Sequence, residues 1–276
     1  AELVIVDEGH LHTAEQSQRI INKHLQAGAV VLYVTATPLG MEKVADCLIV
    51  AGTPSQLRGY EQPALVPAKH FGCDEPQLTL KAQAKINRGE DLSEEENSSI
   101  MMTEGIYGRV FEHYRRINPA GKPTILFAPG VKESIWFAEE FVKRGVSAAH
   151  IDGESIWLDG KIYRSTRERR ERVLSWSRDG KIRVLCNRFV LREGVDAPWL
   201  AHGIFATIFG SLQSYLQSGG RFLRVSPGVQ SVTVQDHGGN WWRFGSLNDD
   251  RQWDLSLTSR IMAGVFGSPC FSGRGP

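Results

Sequence analysis

The sequence predicts an α/β protein built from two mostly parallel sheets, each wound with helices. Three observations predict it. Short apolar runs, such as residues 3–6, 30–34 and 123–128, alternate with helical stretches. A polar, acidic stretch at 72–103 divides two such series. The 276 residues are 41% hydrophobic and 23% charged, a globular balance that excludes a disordered chain, a collagen-like fibre and a coiled coil.

The first series opens on Leu3-Val-Ile-Val6, passes a polar helical stretch at 13–25 and continues with Val30-Val-Leu-Tyr-Val34. A buried strand at the first residues of Ala1-Glu2-Leu3 leads us to expect a segment of something longer. Residues 88–97 carry five acids against one arginine and read as a solvated connection with a short helix of its own. The second series has a helix at 107–117, a buried strand at 123–128 and an amphipathic helix at 131–143. A strand at 148–151, a charged helix at 163–177 and strands at 182–186, 204–207 and 231–235 complete it. The expected organisation is therefore a first lobe at 1–71, a connection at 72–103, a second lobe at 104–255 and a Gly- and Ser-rich tail at 256–276.

No stretch approaches the ~20 consecutive apolar residues of a membrane helix, and no signal pattern opens the chain. Cys47, Cys73, Cys186 and Cys270 are scattered without a C-x-x-C pair, which argues against a zinc site or a disulfide framework and fits a reducing, cytoplasmic setting. The formal net charge is +1, so any nucleic-acid footprint must come from local clusters.

Four segments carry candidate chemistry. Asp7-Glu8-Gly9-His10 places two carboxylates at the C-terminal end of a strand, where open α/β sheets bind ligands. One carboxylate there can hold a Mg²⁺ bound to nucleotide phosphates while the other polarises a water; the pair also serves as an ordinary turn or cap. Thr35-Ala36-Thr37-Pro38 offers two hydroxyls that could reach the carboxylates of the adjacent strand end, or is a plain strand-to-loop turn. Arg192-Glu193-Gly194-Val195-Asp196-Ala197-Pro198 is a loop in which Gly194 permits close backbone approach, or a simple connection.

The fourth segment runs from Gln213 to Arg224. A helix would stack Gln217, Arg221 and Arg224 at i, i+4 and i+7, a stripe suited to phosphate oxygens or to solvent. Gly219 and Gly220 weaken that helix by about 1 kcal/mol each, which implies something packed or bound close by. Residues 161–172 hold six basic and two acidic residues and read as a helix face, able to meet a phosphate backbone or to pair its charges internally. Trp241 and Trp242 could stack on bases but are expected to pack inside.

In order and type these segments resemble the superfamily-two helicases and translocases, which have two RecA-like lobes with ATP in the cleft between them. Asp7-Glu8-Gly9-His10 resembles the DExH motif two, Thr35-Ala36-Thr37 motif three, residues 123–127 motif four, residues 192–198 motif five and residues 217–224 the Q-x-x-G-R-x-x-R motif six. The runs at 235–240 and 65–71 are most similar to those of bacterial and phage XPB-like DNA helicases.

The resemblance implies two RecA-like lobes, the first incomplete, and an ATP-dependent helicase acting on nucleic acid, DNA rather than RNA. It implies that Asp7 contacts Mg²⁺, that Glu8 is the general base and that Arg221 and Arg224 are arginine fingers. His10, Thr35, Thr37 and Gln217 would couple hydrolysis to movement, and Gly194 and Asp196 would face the nucleotide. The chain departs from the pattern twice. Gly9 stands where Ala, Val or Cys is usual, which would loosen the turn. No Gly-x-x-x-x-Gly-Lys-Ser/Thr occurs, since each Gly-Lys pair is followed by Pro123, Ile162 or Ile182. A partner segment carrying that phosphate-binding loop is expected upstream, and the chain by itself is expected to be inactive.

Overall fold

The computed structural model describes residues 2–103, 105–188 and 197–255. The chain divides into two compact units, the first comprising the residues up to Val50 together with those from Gln252 on, the second spanning Ala51–Arg251.

In the first unit β1 (Leu3–Asp7) and β2 (Val30–Val34) pair in parallel, with Leu3 beside Val30 and Asp7 beside Val34. Helix α1 (Glu15–Gln26) makes the crossover. Parallel strands are usually buried on both faces. Here Leu3, Ile5, Val30, Leu32 and Val34 are all exposed, because only two strands share the load.

The second unit starts with a short helix, α2 (Pro54–Gly59), closed by a Thr53–Gln56 capping box. It continues through β3 (Ala68–Gly72), α3 (Leu80–Asn87), α4 (Glu94–Thr103), α5 (Ile106–Ile117), β4 (Thr124–Phe127) and α6 (Val131–Lys143). Then come β5 (Ala148–Ile151), β6 (Ser155–Leu158), β7 (Lys161–Arg164), α7 (Arg167–Arg178) and β8 (Val184–Asn187). Strand β9 (His202–Phe205), α8 (Leu212–Gly220), β10 (Val232–Asp236) and α9 (Asn240–Phe244) complete it. The eight strands lie in the order β3-β10-β9-β4-β8-β5-β6-β7. The first six are parallel, and β6 and β7 add an antiparallel hairpin at one edge. Val110, Phe111 and Tyr114 of α5 and Phe137 and Phe141 of α6 cover Leu126, Val184 and Ile204 of the central strands, which are fully buried.

Three expectations are corrected. Residues 68–72 pair with β10 and so belong to the second sheet, which moves the lobe boundary from residue 71 to Val50. The stretch 72–103 is not a solvated connection. Ala82, Ile86, Leu92, Ile100 and Met101 form a buried cluster with Ile106 and Ile208, while Glu96 pairs with Lys81 and Lys85 at 3.0 and 2.6 Å. The apolar residues between the acids face the lobe, while Asp91 and Glu94 reach residues at the strand ends.

The charged helix expected at 163–177 begins only at Arg167. The residues before it are a hairpin, since Asp159 and Gly160 take φ of 49° and 78°. Two consecutive left-handed residues form the tight turn whose twist matches that of paired strands.

Candidate functional site

The acidic pair sits where β1 ends. Asp7 is its last residue, and its Oδ1 accepts the Glu8 N–H at 2.9 Å. Glu8 adopts the left-handed conformation, φ 48° and ψ 47°, which turns the chain sharply into the 3-10 helix Gly9–His12. That conformation is uncommon for a residue with a Cβ and marks a constrained position. Gly9 is required by packing: a Cβ there would lie 2.8 Å from the Cβ of Tyr33 on β2. The glycine thus brings the turn closer to β2 rather than loosening it.

His10 is buried and its Nδ1 lies 2.7 Å from Thr35 Oγ1 and 3.5 Å from Glu8 Oε2. Thr35 Oγ1 also accepts the Thr37 N–H at 3.1 Å and faces the Thr37 carbonyl at 3.2 Å. The third motif therefore reaches the second through the histidine, not through the carboxylates as expected. Thr37 is 1% exposed, and its Oγ1 has no hydrogen-bond partner among the described residues. Asp7 fits a nucleotide-bound cation: its carboxylate is exposed at the strand end, with Oδ1 held by the Glu8 backbone and, among the described residues, no hydrogen-bond partner for Oδ2.

In the second unit the loops at the C-terminal ends of β4, β8 and β9 are tied together by residues 91–98. Asp91 accepts the Gly210 N–H at 2.9 Å and the Ser214 hydroxyl at 2.7 Å, while Glu94 pairs with Arg188 at 2.8 Å. Asn97 accepts the Ile208 N–H at 3.1 Å and donates to the Ile208 carbonyl and to Thr207 Oγ1. Arg188 also donates to the Pro129 carbonyl at 3.1 Å, beside the start of α6. The acidic stretch thus orders the strand ends that precede motifs five and six.

Motif six lies on α8 and just beyond it. Ser211 caps the helix, accepting the Ser214 N–H at 3.1 Å. Gln217 is half-buried in the helix, Arg221 is half-buried at its C-terminal cap, and the exposed Arg224 bridges to Leu65 in an extended segment. One continuous stripe is therefore not formed: α8 ends at Gly220, and Arg224 leaves the helical register. Gly219 ends the helix against a neighbour, since a Cβ there would meet Leu247 at 2.5 Å. Gly194 and Asp196 of motif five lie outside the described residues.

Beyond β10 lies a buried polar network. Asp236 accepts from the Gly238 and Trp241 amides and from Asn240, and burial pushes its carboxyl up to about 6. His237 binds Asp74 through Nδ1 at 2.5 Å and faces Gln235 through Nε2 at 2.7 Å. Burial raises Asp74, but hydrogen bonds from His237 and Arg109 outweigh it and hold the carboxyl below its ordinary value. Cys73 and His113 approach the same histidine. Both nitrogens of His237 are already engaged, so the trio is a packing cluster here, not a ligand set. Trp242 is 56% exposed, contrary to the expected burial.

A second network escaped the sequence. Ser134 Oγ lies 2.6 Å from His150 Nδ1, and His150 Nε2 lies 2.9 Å from Asp152. Ser134 and His150 are 0% exposed, so no substrate reaches this trio, and it pins α6 to β5.

With this geometry in hand, residues 110–226 match the family model described as the helicase conserved C-terminal domain. The match falls within the second unit. The mostly parallel sheet expected from the sequence is present, and the expected resemblance to helicases is met by that match over 110–226. The chain is similar to a 51.5 kDa protein of Lactococcus phage (isolate 7-9), 27% identical over 256 residues that cover 91% of this chain and 52% of that protein. It therefore spans about half the length of the curated relative it matches.

Among solved structures, the ATP-dependent Type ISP restriction-modification enzyme LlaBIII bound to DNA aligns with a TM-score of 0.54 at 17% identity, over 85% of this chain and 18% of the other. A putative HsdR subunit of a type I restriction enzyme from Vibrio vulnificus YJ016 aligns with a TM-score of 0.53 at 15% identity, over 89% and 45%. At these identities the likeness is one of fold. Among the described residues no helix is long and apolar enough to cross a membrane.

Proposed function

We propose that this chain is the motor portion of an ATP-dependent DNA helicase or translocase. The observation that carries the reading is the helicase C-terminal domain over 110–226 with Gln217 and Arg221 at the end of α8. Asp7 would hold the Mg²⁺ that accompanies ATP, and Glu8 would draw the proton from the attacking water. Mg²⁺ bound with the nucleotide neutralises charge on its phosphates. Arg221 and Arg224 would stabilise the charge that develops on the transferred phosphoryl group. His10, Thr35, Thr37 and Gln217 would relay the state of the nucleotide to nucleic acid, and Gly194 and Asp196 would face the nucleotide.

The phosphate-binding loop is to be sought in a segment joined to this one. Its absence from the 276 residues and the 52% coverage of the phage relative both support that view. A restriction-enzyme motor is the second reading, favoured by the two restriction enzymes that share the fold, one of them bound to DNA. A remnant that binds nucleic acid without hydrolysis is the third. The test is nucleic-acid-stimulated ATP hydrolysis by the longer protein, on DNA and on RNA. Arg221→Ala should lower the rate by about 10³ while ATP binding falls far less. A rate within a few-fold of the parent overturns the finger assignment, and no hydrolysis by the parent favours the remnant.

A further inference from the structure

We infer that the β6–β7 hairpin and the adjoining face of α7 form a binding surface for a nucleic-acid phosphate backbone, separate from the helicase motifs. The inference rests on the nucleic-acid motor reading above. Strand β7 is the outer edge of the sheet, and all four of its residues are exposed. It carries Lys161 and Arg164, and α7 follows after two residues with Arg167, Arg169, Arg170 and Arg172. Against these six stand Glu168 and Glu171. Internal pairing, one of the two sequence readings of this stretch, is sparse. Arg167 pairs with Glu171 at 2.8 Å, while Lys161, Arg164, Arg169 and Arg172 make no ion pair among the described residues.

The surface is also held in shape. Thr166 caps α7 by accepting the Arg169 N–H. Arg169 Nη1 donates to the Arg164 carbonyl at 3.0 Å, and its guanidinium lies 5.6 Å above the Tyr163 ring. These contacts fasten the first turn of the helix to the last residues of the strand. Lys161 and Tyr163 share one face of β7 because strand side chains alternate. Arg172, three residues beyond Arg169, shares its helix face. The result is a row of unpaired cations with a partly exposed aromatic ring among them, on a chain whose net charge is only +1. A local excess of this kind complements a polyanion, and a ring among cations suits a backbone whose bases can stack. The exposed edge of β7 would otherwise be an open template for strand pairing, and its lysine and arginine also guard against that.

The test is fluorescence-anisotropy titration of the chain with single-stranded DNA, duplex DNA and single-stranded RNA at several salt concentrations. Three proteins are compared with the parent. The first carries Lys161→Gln, Arg164→Gln and Arg172→Gln, and leaves Arg169 to hold the surface. The second keeps the charges as Lys161→Arg, Arg164→Lys and Arg172→Lys. The third carries Arg19→Gln, Lys23→Gln and Lys43→Gln, which remove equal charge from the first unit. The neutralised surface should bind all three probes about tenfold or more weakly, with a salt slope shallower by about 2 to 3. The charge-keeping variant should bind as the parent does, and all proteins should unfold at similar temperatures.

Binding by the neutralised surface within about twofold of the parent, at the parent's slope, overturns the surface and leaves the motor reading standing. An equal loss in the first-unit control, or a loss on one probe alone, also overturns it. A parent that binds none of the probes overturns both.

Discussion

His10 Nδ1 and Thr35 Oγ1 meet at 2.7 Å, and this bond joins the DExH turn to the loop after β2. The histidine is buried, so removing Thr35 Oγ1 takes away the shortest contact of its Nδ1 and leaves Glu8 Oε2 at 3.5 Å. Thr35→Val should destabilise the first unit by about 1 to 3 kcal/mol. A cycle with His10→Ala should return a coupling energy of about 1 kcal/mol, since residues in direct contact do not behave additively. Denaturant unfolding of the four proteins measures it. A coupling near zero would show that the bond does not organise the turn.

Gly219 closes on Leu247, whose two methyl groups lie 2.5 Å from where a Cβ would stand. Gly219→Ala should cost about 1 to 3 kcal/mol, the usual penalty of overpacking. The clash is with the end of a flexible side chain, so Leu247→Ala in the same protein should recover part of the loss. Thermal unfolding of the single and double variants decides it. Simple additivity would mean that the glycine serves the helix end for another reason.

What the sequence made legible follows from how local each signal is. The buried strands β4, β5 and β8 were legible because short, mostly apolar runs stand out between helices, although each carries one polar residue, Thr124, His150 or Asn187. The resemblance of residues 7–10, 35–37 and 217–224 to helicase motifs was legible because their residue types and order are dense. The role of β3 was hidden, since its pairing with β10 joins residues more than 150 positions apart and Ala-Lys-His-Phe-Gly carries no apolar pattern. The hairpin at 155–164 was legible through Asp159-Gly160, a strong turn dipeptide, but the arginines that follow it favoured a helix. Asp91 and Asn97 looked like solvated linker residues, because nothing local reveals that they bond to residues 207–214. Arg224 lies outside the helix because α8 stops at Gly220, after which the chain extends to bridge Leu65.

Acid should loosen the second unit through its buried histidines, and His202 should account for a measurable share. Burial holds His70 and His202 down to about 4, against an ordinary 6.5, so each takes up a proton on unfolding between those values. Their contribution is whole above pH 6.5 and is lost as the pH falls toward 4. Asp236 acts the other way. Its carboxyl is pushed up to about 6 from an ordinary 3.8, so its contribution is whole below 3.8 and is lost as the pH rises toward 6. In the shared window these two histidines each take up a proton on unfolding and Asp236 releases one. His113, His150 and His237, also lowered by burial, add uptake in the same direction, so stability should fall as the pH falls. His202→Gln removes one uptake, so the slope of unfolding free energy should drop by about 1.4 kcal/mol per pH unit. Urea titrations from pH 4.5 to 6.5 measure the slope. An unchanged slope would show that His202 is protonated in the folded protein.

The 276-residue chain should not turn over ATP at a meaningful rate. In motors of this class the β- and γ-phosphates are cradled by backbone amides and a lysine of the phosphate-binding loop, and no such loop occurs in this sequence. Asp7 keeps an exposed carboxylate for a cation, but a cation alone does not place the γ-phosphate in line for attack. Arg221 and Arg224 do not replace the loop either. In the role proposed for them they would stabilise charge as it develops, which presupposes a nucleotide already held. The exposed apolar residues of β1 and β2 point the same way, since Leu3, Ile5 and Leu32 lack the covering a stable first lobe would give them. Phosphate release by the purified chain with single-stranded DNA should therefore match that of an Asp7→Ala, Glu8→Ala double variant. DNA-stimulated release of about one per second, lost in the double variant, would show that these residues hold and hydrolyse ATP without the loop.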